Sequence, residues 1–362
     1  MPLPTYQLQN NQQHPDKILS GGAHAGLWFD KFFQDYNYGY SDIKNENRQI
    51  FIDLAKKYGD SAKIKKQKNR LMQLVKAKKG IYTIFSTNWN FITGMGQNHA
   101  IENGFSWHPT LSTPFVSGAS VKGLLRHWMK YYQTEDYIKI ANLWFGNEST
   151  NQQTQQAGKL IFLDAIPTEP TTIVEDIMTP HYGEWYSKGQ EGKEEDAPHD
   201  SHEPVPISFL AVKKASFLFS IMPTNSQDQL LQDTAKEAME QLSNALKYLG
   251  AGAKTAAGYG RMIEDIEATA QSSQENLEQN KSEKIKEMDK LTKELKAQKH
   301  AAGSKPMIEA FDFLKIASDS CLNWTTDEQN RLKEFFTNYP VSKKKSKDTD
   351  YKAMKAKISK LK

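Results

Sequence analysis

The sequence predicts an α+β protein: a ferredoxin-like (RRM-like) core with an acidic insertion, followed by a C-terminal helical extension. Three observations predict it. Between residues 81 and 267 the patterns run strand, helix, strand, strand, helix, strand, the order of the split βαβ arrangement. Ten acids against only Lys188 and Lys193 fill Glu169–Glu203, between the second and third strands. Past about residue 268 apolar residues become sparse, and helical spacing returns only near residue 305.

Residues 1–80 read as an N-terminal extension with helices. The first 25 residues are polar, and Gly26-Leu-Trp-Phe-Asp-Lys-Phe-Phe33 reads as a short aromatic helix. Apolar residues at Ile50, Phe51, Leu54 and Ala55, then at Leu71, Met72, Leu74 and Val75, predict two helices broken at Gly59-Asp60. The core spans residues 81–267. Ile81–Ile92, rich in β-branched and aromatic residues, is its first strand. A long loop, Gly94–Ser117, leads to a helix over Ala119–Tyr132 with Val121, Leu124, Leu125, Trp128 and Met129 on one face. Gly158–Ile166 is the second strand, and the acidic insertion covers about residues 167–204. Val205–Val212 and Ala215–Ile221 read as a strand pair. A helix over 227–249 and a last strand near Arg261–Ile266 complete the core, whose open sheet would be a common type of RNA platform. Residues 268–304 read as a charged linker or helix. Residues 305–362 read as a small helical domain with a basic tail, and Thr325-Thr-Asp-Glu328 offers a capping-box helix start.

A length of 362 residues suits about two domains. The net charge of +4 is modest, but it is unevenly spread. Lys44–Lys79 holds twelve Lys/Arg against three acids, and Val341–Lys362 nine Lys against two acids. Basic surfaces of this kind suit a polyanion, and the acidic insertion faces something else. Cys321 is the only cysteine, which excludes an intrachain disulfide and zinc sites built on cysteine pairs. The start lacks the pattern of a secretory signal, and no apolar run approaches the roughly 20 residues of a membrane span. A cytoplasmic protein with no membrane partner is expected.

Leu249-Gly-Ala-Gly-Ala-Lys-Thr-Ala-Ala-Gly-Tyr-Gly-Arg261 is the richest stretch for recognition. Gly250, Gly252, Gly258 and Gly260 let the backbone approach a ligand and adopt positive φ, and Lys254, Thr255, Tyr259 and Arg261 suit a phosphate. The loop follows a helix and precedes a strand, the reverse of the two best-known nucleotide loops. Ala253 stands where a P-loop needs glycine, and Thr255 where a dinucleotide loop needs one. A second stretch, Gly94–Arg126, ends in a helix start where Ser117 and Ser120 offer caps and Lys122 and Arg126 share a face. Phe105, Trp107 and His108 are candidates for base stacking.

Glu102-Asn-Gly-Phe-Ser-Trp-His-Pro-Thr-Leu111, Pro114-Phe-Val-Ser-Gly-Ala-Ser-Val-Lys-Gly123 and the glycine loop together resemble the RAMP superfamily of CRISPR proteins. Within it they look like the family of sixth RAMP subunits of the type III-B (Cmr) effector, to which Gly26-Leu-Trp-Phe-Asp30 is also similar. The resemblance covers about residues 20–267. It implies an RNA-binding subunit without activity of its own, working in antiviral defence. Such a subunit caps the backbone filament near the 3′ end of the guide RNA. Its implied partners are guide CRISPR RNA, target RNA and other Cmr subunits: the backbone RAMP, the small helical subunit and the first RAMP subunit. The acidic insertion lies where such proteins project a β-hairpin thumb into the guide–target duplex. Base pairing would read sequence, leaving backbone shape to this chain.

No catalytic residue, metal or cofactor is expected. Cleaving backbone subunits of the family use an acid, usually Asp, and the loop Gly94–Asn103 has only Glu102. The alternative is a metal-independent guide-processing endoribonuclease of the RAMP type, with His99 and His108 sharing acid and base roles. His199, Asp200, His202 and Glu203 have spacing compatible with a metal but read as solvated residues of an acidic loop.

Overall fold

The computed structural model describes residues 24–32, 57–99, 102–132, 137–147, 155–189, 193, 197–199, 204, 206–280, 283–297, 305–339 and 349–361. The polar residues 1–23, the expected helix over Ile50–Ala55 and the lysine cluster at 343–347 lie outside them.

Helix α1 (Ser61–Ala77) begins where the Asp60 carboxylate accepts the N–H groups of Ala62 at 2.9 Å and Lys63 at 3.0 Å. That cap makes Gly59-Asp60 a helix start. There follow β1 (Ile81–Thr87), α2 (Gly118–Tyr132), α3 (Tyr137–Phe145), β2 (Leu160–Phe162), β3 (Thr171–Met178), β4 (Ile207–Val212), β5 (Ser216–Pro223), α4 (Gln229–Tyr248), β6 (Met262–Glu264) and α5 (Ile266–Asn280). The main sheet runs β6-β1-β5-β2 with every neighbour antiparallel. Counted within this sheet, the strands stand fourth, first, third, second. Helix α2 links the first to the second and α4 the third to the fourth, so the connectivity fits the predicted split βαβ order.

Alternation along the strands decides what each sheet face buries. Phe85, Phe217, Phe219 and Ile221 pack with Leu125 and Trp128 of α2 and Ala235, Ala238 and Leu242 of α4. The opposite face is not open. Ile84 and Leu218 bury against Met72 of α1, with Leu71 and Ala268 packed alongside. Polar bonds seal the cover: Lys68 Nζ donates to Ser272 Oγ at 3.1 Å, and the Ile84 N–H donates to Thr269 Oγ1 at 3.0 Å. The predicted open RNA platform is therefore corrected, because α1 and the start of α5 occupy it.

A second correction concerns β4. It pairs with β3, from Ile173↔Val212 to Met178↔Ile207, and not with β5. Lys57–Tyr58 adds a third strand on the far side of β3. The predicted insertion thus carries the first strand of a β-ribbon whose second strand, β4, follows it. That second strand is apolar on both sides. Phe209 and Ala211 bury with Ile92 and Tyr259, while Leu210 and Val212 join the main core. A run apolar on both faces suits several neighbours, so its pattern cannot name its partner.

Past Phe162 the second strand bulges. Phe162 pairs with Ile221 and Ile166 with Leu218, which leaves one extra residue on this strand around Leu163-Asp164.

The described residues up to Ser273 and those from Gln274 onward form two compact units. In the second, α6 (Glu283–Ala297), α7 (Lys305–Ser320), α8 (Thr326–Asn338) and α9 (Thr349–Ile358) bury a common core. Met288, Leu291 and Leu295 of α6 belong to that core, so the charged stretch is a packed helix at residues 283–297. Thr325 and Glu328 form the anticipated capping box at the start of α8. No helix among the described residues is long and apolar enough to cross a membrane.

Candidate nucleic-acid interface

The antiparallel order brings four segments to one end of the main sheet: the exit of β1, the start of α2, the bulge after β2 and the α4–β6 loop. Backbone bonds join them there. Ala253 N–H donates to Ile92 O at 3.0 Å and Gly260 N–H to Asn90 O at 2.9 Å. Val116 and Ala165 exchange bonds of 3.0 and 2.8 Å. The two predicted segments, Ser117–Arg126 and Gly250–Arg261, share this end.

All four glycines of the loop have positive φ: 82° at Gly250, 86° at Gly252, 98° at Gly258 and 70° at Gly260. Three also need the space, Gly250 because its Cβ would sit 2.9 Å from Tyr259 O. A Cβ on Gly252 would sit 1.9 Å from Ile92 O, and one on Gly260 1.9 Å from Ala251 O. Gly258 faces open space, so only its φ requires glycine. Lys254, at φ 54°, is left-handed without being glycine, and its Nζ lies 5.7 Å from the Phe209 ring centre. Thr255 starts a 3-10 turn ending at Ala257, and Arg261 is exposed.

Tyr259 is a correction to the expected set. Its ring is buried, 6.0 Å from Phe209, and its hydroxyl donates to Asp176 Oδ2 at 2.6 Å. It ties the loop to β3 and does not face a ligand. Burial, then the bond to Asp176 and its charge, push the phenol up to about 12 from an ordinary 10.0. The folded state therefore favours the neutral phenol. That stabilisation is whole below pH ~10 and is lost as pH rises through about 12. In a tyrosinate titration, the difference between the wild type and Tyr259→Phe is expected to rise near pH 12; a difference rising near pH 10 would contradict this placement.

At the start of α2, Ser117 is the cap: Ser120 N–H donates to Ser117 Oγ at 3.2 Å, and the two hydroxyls are 2.8 Å apart. Lys122 and Arg126 lie one turn apart, both half-buried. The sequence reading missed Asp164. The bulge aims its exposed carboxylate at the helix start, where it accepts the Gly118 N–H at 2.6 Å. An internal anion thus already uses one donor that a phosphate would use. Asp164→Asn is expected to lower stability by about 0.3–1 kcal/mol and to raise RNA affinity severalfold. Thermal melts and RNA titrations check the two signs, and a fall in RNA affinity would refute competition at this helix start.

Trp107 is corrected too. Phe105, Tyr58 and Phe29 surround it at ring distances of 5.0, 5.9 and 6.3 Å. Gly26 lies so close that a Cβ there would sit 2.3 Å from Trp107 Cβ. Phe105 is buried, so neither ring is a base platform. The aromatic stretch near Trp28 packs on this loop, which the sequence could not reveal. His99 stacks on Phe29 at 4.0 Å, with Nε2 3.1 Å from Phe29 O. His108 meets Phe115 edge-on at 5.4 Å, and its carbonyl lies 3.1 Å from His24 Nε2. Burial lowers both imidazoles from their ordinary value of 6.5. Each is engaged in holding residues 24–29 or the loop itself. Among the described residues no group of three or more His, Cys, Asp or Glu is arranged for a metal; Asp200, His202 and Glu203 lie outside them.

Trp89 was also missed. Its ring, 50% exposed, lies 4.5 Å from that of Tyr259 at the same end. In the sequence it looks like the interior of the first strand, but β1 stops at Thr87.

The RAMP superfamily profile matches residues 85–263, from β1 to β6. A relative from Pyrococcus furiosus (strain ATCC 43587 / DSM 3638 / JCM 8422 / Vc1), the CRISPR system Cmr subunit Cmr6, is 25% identical over 237 residues, covering 50% of this chain and 67% of the relative. Among solved structures, the chain is similar to the crystal structure of Cmr6 from Pyrococcus furiosus (24% identity, 52% of this chain, 98% of that chain, TM-score 0.31). It is also similar to a chain in the cryo-EM structure of the type III-B Cmr-beta bound to cognate target RNA (23% identity, 57% of this chain, TM-score 0.42). The match spans 66% of that chain, just under two thirds of its length.

Proposed function

We propose that this chain, whose residues 85–263 match the RAMP superfamily, is a non-catalytic RNA-binding subunit of a type III-B CRISPR (Cmr) ribonucleoprotein. It caps the backbone filament near the 3′ end of the guide RNA and supports target RNA binding in antiviral defence. Guide and target RNA and the neighbouring Cmr subunits are its partners, in the cytoplasm. The observation that carries this reading is the meeting of the glycine loop and the α2 start at one sheet end. Lys254, Thr255 and Arg261 on one side, and Ser117, Ser120, Lys122 and Arg126 on the other, supply donors and cations for an RNA backbone. Gly250, Gly252, Gly258 and Gly260 shape that loop, and Trp89 adds an aromatic face for a base. His108 and Trp107 act behind this surface, as packing.

A metal-free incubation of the purified chain with labelled guide precursor tests the reading. Bound, intact RNA is expected, with affinity falling steeply as salt rises. Cleavage abolished by His99→Ala or His108→Ala would overturn it in favour of a guide-processing endoribonuclease.

A further inference from the structure

The outer face of the α2–α4 helix layer carries aromatic rings that the sheet-end contact does not use. Trp128 of α2 lies nearly parallel to Tyr132, with centroids 4.9 Å apart and planes 12° apart. It is also nearly parallel to Tyr248 of α4, at 5.9 Å and 8°. Its Nε1 donates to Gln241 Oε1 at 2.9 Å, which fixes the indole between the two helices. Trp128 is 7% exposed, whereas Tyr132 and Tyr248 are 53% and 55% exposed. A buried indole thus holds two solvent-facing phenols in fixed planes. One residue before Tyr132, Tyr131 is 58% exposed and packs on His127 at 4.6 Å.

Cations flank these rings on both helices, and the nearest acids on α4, Glu237 and Glu240, precede Gln241. Helix α2 contains no acid: its ionisable residues are Lys122, Arg126, His127, Lys130 and its two tyrosines. From Gln241 to Tyr248 the only charge on α4 is Lys247. Lys130 Nζ lies 5.3 Å from the Tyr131 ring centre and Lys247 Nζ 5.2 Å from that of Tyr248, so each cation sits with a ring. Lys122, Arg126 and Lys130 recur every four residues, about 6 Å apart along the axis, a spacing comparable to that of phosphates along an extended strand. The next acids in the chain, Glu135 and Asp136, lie outside the described residues.

Fixed exposed rings paired with cations suit a ligand that has both flat faces and negative charges. A single-stranded nucleic acid has both, in alternation. A base-paired duplex hides its base faces, so it cannot use the rings. An acidic protein would use the lysines but has no need of ring planes held parallel.

We infer that the α2–α4 helix face is a second RNA site, which takes an unpaired segment by stacking bases on Tyr132, Tyr248 and Tyr131 while Lys130 and Lys247 hold phosphates. This rests on the proposed function only in taking RNA as the ligand. The α2 helix runs from the sheet-end contact toward these rings, so one strand can engage both.

The test compares two RNA probes on the full chain: an unstructured single strand and a blunt duplex. Tyr132→Ala/Tyr248→Ala removes rings that are more than half exposed and leaves Trp128 in place. The pair is expected to weaken single-strand binding by about tenfold or more and to leave duplex binding unchanged. Lys130→Gln/Lys247→Gln should weaken single-strand binding severalfold and reduce its salt dependence. Unchanged single-strand affinity in a tyrosine variant with wild-type circular dichroism would overturn the inference. So would unchanged RNA binding alongside lost association with a co-expressed protein subunit, which would assign the face to a protein. Failure of the sheet-end reading is visible separately, in Lys254→Ala/Arg261→Ala, which leaves these rings intact.

Discussion

Gly252→Ala is expected to destabilise the fold by about 3 kcal/mol, among the largest effects of any single change in this loop. Two costs add. A left-handed φ of 86° costs an L-residue roughly 1–2 kcal/mol. The new Cβ would also sit 1.9 Å from Ile92 O, which must move and so give up the 3.0 Å bond it accepts from Ala253. That bond is worth about 1 kcal/mol, before any strain at the exit of β1. Gly258→Ala is the control. Its φ of 98° carries the same backbone cost, but nothing lies within 4 Å of the added methyl. It should lose only about 1–2 kcal/mol. Denaturant melts of both variants check the contrast; equal losses would mean that the loop does not depend on its contact with Ile92.

The second large effect concerns binding. Lys254→Ala/Arg261→Ala is expected to weaken RNA binding on the order of tenfold at physiological salt. The slope of log affinity against log salt should fall by roughly 1.4 for two lost phosphate contacts on a single strand. Arg261 is exposed and should cost little stability when removed. Lys254 differs, because its left-handed φ and its contact with Phe209 tie it to the loop. Arg261→Ala alone is therefore the cleaner probe of charge. Unchanged affinity and slope in the double variant would remove the glycine loop from the RNA surface.

The main architecture was legible in the sequence because its signals are local. Leu231, Ala235, Ala238 and Leu242 recur at helical spacing, and the glycines follow at once. Asp60 and Thr325 announce helix starts by their own side chains. What escaped depends on partners distant in the chain. The face of Ile84 and Leu218 is closed by Met72 and Ala268, which strand alternation alone does not announce. Trp107, in a loop rich in glycine and serine, looks exposed until Gly26 and Phe29 pack on it from some eighty residues away. Tyr259 looks like a ligand contact because glycines flank it, but Asp176 on β3 draws its hydroxyl inward. Asp164 reaches the start of α2 only because one extra residue bulges its strand. Of the predicted site, the glycines, Lys254, Arg261 and the α2 start meet at one sheet end, while Trp107 and Tyr259 serve packing.

The most direct test of the central claim is a map of ultraviolet cross-links between the intact chain and bound guide RNA, read by peptide mass spectrometry. Cross-links are predicted in Gly250–Arg261, in Ser117–Arg126 and at Trp89. Cross-links confined to residues 305–362, or none under conditions where partner subunits are labelled, would contradict an RNA-binding role for this sheet end.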